Sequence, residues 1–182
     1  EHWLVTALTK WAYRDPEHAK RLNYPRGENT DDQFRDYEMQ GTSLYFINLK
    51  SAGIDLASIV EGKDVLDVGC GSGGKPTRVA QLTNAKSIHG FDLPHLFFPE
   101  AAERYARDKG VTNITFSTGY AENMTFPDNS FDVAISDDVI EHVKDPEKVF
   151  QEIYRVLRPG GRAVLRFPSY KMLTAHHYDG QI

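Results

Sequence analysis

The sequence has a single cysteine, Cys70, in 182 residues. That excludes an intrachain disulfide and removes support for a secreted, disulfide-stapled scaffold, so a reducing, cytoplasmic setting is expected. No apolar run approaches the roughly 18 residues that would span a bilayer. The opening, EHWLVTALTKW, has neither the basic start nor the clean apolar stretch of a signal peptide, and no membrane partner is expected. No block of Lys and Arg stands out either. The 21 basic residues face 26 acidic ones for a formal charge of -5, which argues against a nucleic-acid partner. Internal repeats and low-complexity segments are missing as well. What is present, 40% hydrophobic residues over this length, suffices for one real core.

The hydrophobic pattern changes near Gly53. Before it, Trp3, Leu4, Ala7, Leu8 and Trp11 recur at helical spacing and predict an amphipathic helix over 2–13. Asp15-Pro16-Glu17 reads as another short helix start, and YPRGENTDD from Tyr24 to Asp32 as a loop. Phe34, Tyr37, Tyr45, Phe46 and Leu49 follow as an aromatic-rich, partly helical segment. Residues 1–53 are therefore expected to form a helical arm or lid, and residues 54–182 the core.

In the core, apolar runs at 64–68, 87–91, 114–117, 131–135 and 162–167 predict five strands, with helices at 76–82, 98–108 and from Asp145 onward. Asp145-Pro146-Glu147 opens the last helix with a capping carboxylate and a proline whose missing N–H costs little there. Arg158-Pro159-Gly160-Gly161 is expected to stop it. Strands alternating with helices imply an α/β, Rossmann-like, mostly parallel sheet with helices on both faces. Ligands of such sheets sit beyond the carboxyl ends of the strands.

The stretch DVLDVGCGSGG, Asp64 to Gly74, lies at such an end. Gly69, Gly71 and Gly74 satisfy G-x-G-x-x-G, a spacing that suits a nicotinamide or flavin dinucleotide as well as an adenosyl ligand. Its glycines are expected to leave room for a close neighbour. Asp92, ending the second strand, is placed to receive the two hydroxyls of a ribose in either case. Asp67 separates the two: beside the turn its carboxylate repels a pyrophosphate and welcomes an ammonium or sulfonium.

With these residues in view, 64–167 resembles the class I S-adenosylmethionine-dependent methyltransferases, in particular the small-molecule, methyltransferase type 11-like branch. Val65-Leu66-Asp67-Val68-Gly69-Cys70-Gly71-Ser72-Gly73 is similar to the family's first motif, and Phe91-Asp92-Leu93 to its acidic second motif. AENMTFPDNSFDVAIS from Ala121 and EIYRVLRPGGRAVL from Glu152 resemble the segments leading through the later strands. The resemblance implies S-adenosyl-L-methionine as methyl donor and a small-molecule acceptor. It implies that Asp67 and the turn of Gly69, Cys70, Gly71 and Gly73 hold the methionine end, with main-chain groups near its amino and carboxylate groups. Asp92 would bind the ribose and Leu93 pack on the adenine. Ala121 would offer its backbone to the ring, and Ser136 lie beside the transferring methyl. Where relatives often carry Asp to receive the adenine amino group, this chain has Tyr120, so Glu122 or backbone takes that role. The Cys70 side chain itself is expected to fill space.

For the acceptor, the run SDDVIEHV offers Asp138 and His142 as a base pair one helical turn apart, with Asp137 lining the donor pocket. A framework role for His142 and a helix-starting role for Asp138 stay open beside this. His176-His177-Tyr178-Asp179 suits substrate contact better than chelation, because adjacent histidines are poorly arranged around one ion; no metal is expected. The family fold has seven strands, and this chain ends soon after the fifth, so a piece of a longer product is expected. Either a second copy or that further segment would then cover an open sheet edge. Two other readings remain: a nicotinamide-dependent oxidoreductase, and a non-catalytic adenosyl-binding regulator.

Overall fold

The structure, a computed structural model, describes residues 5–8, 28–94 and 97–167. Six strands run Val5–Leu8 (β1), Asp64–Val68 (β2), Ser87–Asp92 (β3), Ile114–Thr118 (β4), Phe131–Asp137 (β5) and Leu157–Arg166 (β6). The helices are Glu28–Ser51 (α1), Leu56–Val60 (α2), Gly74–Leu82 (α3), Pro99–Asp108 (α4) and Pro146–Val156 (α5), with a short 3-10 turn at Ile140–His142. The sheet order is β1-β6-β5-β2-β3-β4 and every neighbouring pair is parallel.

Period-two alternation divides the core between the two faces of the sheet. Val65, Ile88, Val133, Ile135 and Val164 pack with Tyr45, Leu49, Leu56, Val60, Val79 and Ala102 from α1 to α4. Leu66, Val68, Ala134, Ala163 and Leu165 face the other way and pack with Val149, Ile153 and Val156 of α5. The α/β fold with helices on both faces is therefore present. The chain leaves β2 on one side to build β3 and β4, and returns on its other side with β5 and β6. The order reverses between β2 and β5, which opens a crevice at their carboxyl ends.

Several local expectations change. The helix expected over 2–13 is instead a strand at Val5–Leu8, which pairs with Ala163–Arg166 of β6. The backbone of β6 offers those four residues a ladder that overrides their helical spacing. The expected open edge next to the last strand is thus paired by this chain's own β1. The loop expected up to Asp32 ends earlier, because α1 already starts at Glu28; acidic residues in its opening turns suit the positive end of the helix dipole. The short helix α2 was not anticipated; Asp55 caps it by accepting from the Ser58 N–H at 3.5 Å. α5 begins as expected, with Asp145 accepting from the Lys148 N–H at 3.2 Å. It ends at Val156, before the Arg-Pro-Gly-Gly run. Leu157 already pairs with Phe131, and Arg162 with Val133, so Arg158–Gly161 bulges out of the ladder. The Asp15-Pro16-Glu17 and His176–Asp179 expectations lie outside the described residues.

Candidate functional site

The glycine turn leaves β2 and runs into α3 at the crevice. Gly69 and Gly71 have φ of +77° and +64°, a left-handed region that side chains rarely adopt. The room they leave is taken by the protein. A Cβ on Gly69 would sit 2.1 Å from Val139 Cγ2, and one on Gly71 would sit 2.5 Å from Glu38 Oε1. Helix α1 presses on the turn from outside. The Glu38 carboxylate accepts from the Ser72 N–H (3.2 Å), the Ser72 hydroxyl (2.7 Å) and the Gly74 N–H (3.0 Å). Arg35, only 2% exposed, donates from Nε to the Ser72 carbonyl at 2.8 Å. Burial raises the Glu38 pKa, opposed by those hydrogen bonds.

Asp67, the fourth residue of β2, is fully buried, and among the described residues neither carboxylate oxygen has a hydrogen-bond partner. Burial pushes its pKa up to about 6; Lys75 opposes this, while Asp137, Asp92 and Glu38 add to it. Lys75 stands in the first turn of α3, and its ammonium lies 3.3 Å from Asp137 Oδ2. Burial disfavours that ammonium, but Asp137 and Asp67 more than offset it and raise its pKa. Asp137 also bonds Arg166 Nε at the end of β6. Burial works against its ionised form, yet Lys75 and Arg166 prevail and hold its carboxyl below the ordinary range. The Tyr45 ring, from α1, packs on this cluster with Lys75 Nζ 5.9 Å and Arg166 Cζ 5.7 Å from its centroid. Its hydroxyl is buried and has no hydrogen-bond partner among the described residues.

The remaining expected residues stand at or just after the carboxyl ends of β2 to β5. Asp92 accepts from the Gly71 N–H at 2.7 Å and the Leu93 N–H at 2.6 Å, tying the end of β3 to the turn. Ser136, fully buried, donates to the Val68 carbonyl at 3.0 Å and stitches β5 to β2. The Cys70 side chain is buried in the core, where burial raises its thiol pKa. Ala121 is buried beyond β4, and Glu122 accepts from the Lys144 N–H at 3.1 Å. Asp138 and His142 do not share a helical turn. Asp138 has φ of +56°, and only a 3-10 turn over Ile140–His142 follows it. Arg166 donates to Asp138 at 2.7 Å; burial and Asp137 raise the Asp138 pKa, with Arg166, then Lys75 and His142, opposing. Glu141, between them, has its pKa raised to about 7 by burial first, then by Asp138 and Asp137.

Sequence reasoning missed Arg35, Glu38 and Lys75, and placed Tyr45 only in a covering arm. A signal existed for α1: Arg35, Glu38, Thr42, Tyr45 and Leu49 stand three or four residues apart and share the face turned to the core. Lys75 carried none, since a lysine in a first turn reads as solvated. Among the described residues no cluster suited to a metal ion occurs. A cavity of about 410 Å3 lined by Ser58, Lys63, Asp132, Pro159 and Arg162 lies at the opposite, amino end of β5 and β6, and none of Asp67, the glycine turn or Asp92 lines it.

A parallel sheet whose glycine turn opens at the point of strand reversal, with an acid ending the next strand, defines a Rossmann-like cofactor-binding domain. Within that class the chain belongs to the class I S-adenosylmethionine-dependent methyltransferases: residues 66–165 match the family model described as methyltransferase domain. It is similar to sterol 24-C-methyltransferase erg6 of Aspergillus fumigatus, 38% identical over 66% of this chain and 31% of that protein. It also resembles the Haemonchus contortus phosphoethanolamine N-methyltransferase 2 solved with phosphomonomethylethanolamine and S-adenosylhomocysteine. That match has 36% identity and a TM-score of 0.52, over 58% of this chain and 24% of the other. The [4+2]-cyclase SpnF shares the fold too, at 27% identity and a TM-score of 0.54, over 74% of this chain and 43% of that one. The chain thus spans about a third of the length of that sterol methyltransferase. No helix among the described residues is long and apolar enough to cross a membrane.

Proposed function

We propose that this chain carries the donor site of an enzyme that moves a methyl group from S-adenosylmethionine to a small-molecule acceptor. The observation that carries the reading is Asp67: a fully buried carboxylate near the carboxyl end of β2, with both oxygens unpartnered among the described residues. An orphaned buried anion is costly, and a ligand ammonium is the chemistry that would satisfy it. A dinucleotide would bring a negatively charged pyrophosphate to a cluster whose acids are Asp67, Asp137, Asp92 and Glu38.

In this reading Asp67 and the turn of Gly69, Cys70, Gly71 and Gly73 face the methionine end. Asp92 takes the ribose hydroxyls; its two backbone donors orient it, and a carboxylate offers about four acceptor sites. Leu93, Ala121 and Glu122 border the adenine, and Ser136 holds β5 against β2 below the reacting centre. Bound there, S-adenosylmethionine supplies an electrophilic methyl group. The protein's part is to orient the acceptor, exclude water and take up a proton where the acceptor has one to lose. Asp138 and His142 are the groups proposed for that proton. Residues 1–53, as a covering arm on the 54–182 core, would form the acceptor side. A cytoplasmic setting fits the single buried cysteine.

The sterol and phosphoethanolamine relatives support a small-molecule acceptor of either carbon or nitrogen type. Calorimetry with S-adenosylhomocysteine and with NAD tests the donor: NAD binding without response to the sulfur compound overturns it. Because a neighbour of this fold is a cyclase, transfer must also be measured. Labelled methyl groups should pass from S-adenosylmethionine to a metabolite extract with the intact protein. Binding without transfer across a broad acceptor set would favour a regulatory role. Asp92→Ala should weaken S-adenosylhomocysteine binding by about tenfold or more, the order expected for losing charge-assisted hydrogen bonds.

A further inference from the structure

The amides of the glycine turn are already committed inside the protein. Gly69 and Cys70 donate to the Phe91 carbonyl at 2.8 and 3.1 Å, and Gly73 to the Cys70 carbonyl at 3.2 Å. Gly71 donates to Asp92, while Ser72 and Gly74 both donate to Glu38. Every backbone N–H from Gly69 to Gly74 therefore has an internal acceptor. A methionine moiety carries two charged groups, an ammonium and a carboxylate. Asp67 answers the first. The turn, tied up as it is, has no amide left for the second, contrary to the main-chain role expected for it.

Two groups beside Asp67 have the needed chemistry. Tyr45 is 5% exposed and its hydroxyl has no partner, although a buried hydroxyl ordinarily has one. Lys75 has three N–H donors on its ammonium, and its ion pair with Asp137 engages that carboxylate alongside Arg166, which already serves it. Both surround one point: the Lys75 ammonium lies over the Tyr45 ring, and Asp67 and Asp137 act on both residues through space. Burial raises the Tyr45 pKa, so its hydroxyl keeps its proton and remains a donor.

We infer that Tyr45 and Lys75 form the carboxylate-binding half of the methionine subsite, with Asp67 as its ammonium-binding half. This rests on the donor reading above. Helix α1 then plays two parts in one surface: Glu38 and Arg35 lock the turn amides, and Tyr45, two turns further on, replaces them as the donor to the ligand's anionic end. The subsite discriminates by charge pattern, an anion-accepting pair set beside a buried acid, and so selects a zwitterionic amino-acid end over a plain amine or a phosphate.

The test compares S-adenosylmethionine with its decarboxylated analogue, which keeps the sulfonium and the terminal ammonium. Calorimetry on the wild-type chain should show S-adenosylmethionine bound at least about tenfold more tightly. Tyr45→Phe and Lys75→Gln should each weaken S-adenosylmethionine by about tenfold and leave the decarboxylated analogue unchanged. Tyr45→Phe keeps the packed ring and removes a hydroxyl that has no partner, so it should fold normally even where Lys75→Gln does not. Equal losses for both ligands would overturn the assignment, as would wild-type affinities that do not differ. Unchanged affinity in both variants, with the Ser72 and Gly74 amide resonances shifting on binding, would overturn it in favour of displacement of Glu38. Wild-type protein that binds neither ligand would instead overturn the donor reading itself.

Discussion

Asp67 is a buried acid near the end of β2, and its protonation is linked to stability. Its pKa is raised from 3.8 to about 6, chiefly by burial, so the folded protein holds that proton more tightly than the unfolded chain does. The linkage then has a definite sign: its contribution to stability is fully present below about 3.8 and is lost as pH rises through about 6. At neutral pH the ionised group costs on the order of 2–3 kcal/mol relative to a residue that never ionises. Asp67→Asn should therefore raise the melting temperature at pH 7.5, have little effect at pH 4, and abolish the attraction for an ammonium. Thermal unfolding at the two pH values, with S-adenosylhomocysteine titrations at the upper one, checks both halves. A fall in stability at pH 7.5 would mean that Asp67 is a structural cap. This residue could be singled out in the sequence, because an acid two positions before a glycine turn suits a cationic ligand better than a pyrophosphate. Tyr45 and Lys75 could not: their significance lies in having, or lacking, partners brought from distant segments, and spacing along the chain carries no record of that.

At the scale of elements, α1 clamps the glycine turn. Its backbone lies so close to the start of α3 that a Cβ on Gly74 would sit 2.2 Å from the Arg35 carbonyl oxygen. Glu38→Ala would strip acceptors from the Ser72 and Gly74 amides, at about 1–3 kcal/mol for leaving such buried donors unpaired. Amide exchange at these two positions should accelerate well before that at β2, and donor affinity should fall with it; unchanged exchange would show that the turn holds its shape unaided. A second clamp holds the segment that follows β4. Arg155 of α5 donates to the Met124 and Phe126 carbonyls at 2.9 and 2.7 Å and to Asp128 and Glu152, while Glu152 accepts from the Met124 N–H at 2.6 Å. Arg155→Ala should loosen the segment from Ala121 to Asp128 by about 1–3 kcal/mol and raise proteolysis there first. The helices and strands of the core were readable because period-two and 3.6-residue patterns are local. Which helix would lock which loop was not, since a glutamate on a helix face looks the same whether it meets water or a row of amides.

For the whole molecule, the least legible feature is the strand that ends the sheet beside β6. A parallel strand needs a partner already present elsewhere, and β1 finds its partner in β6, near the other end of the described chain. VTAL has the composition of a strand but sits within a run of helical period, so local pattern favoured the wrong element. Without β1, β6 would present an unpaired edge across the register from Ala163 to Arg166, at the end where Arg166 joins Asp137 and Asp138. Unpaired parallel edges invite a second chain. Removal of residues 1–8 should therefore lower stability by about 2–4 kcal/mol, the scale of a few ladder hydrogen bonds, and produce self-association that grows with concentration. Sedimentation of the truncated and intact chains over a hundredfold concentration range, about two decades, separates the outcomes. A truncated chain that stays monomeric and unfolds at the same temperature would show that β1 contributes nothing to the sheet. If it associates but still binds S-adenosylhomocysteine with unchanged affinity, edge and crevice are independent. If affinity falls as well, then the Arg166–Asp137–Lys75 chain of ion pairs transmits the loss from the edge of the sheet to the donor site.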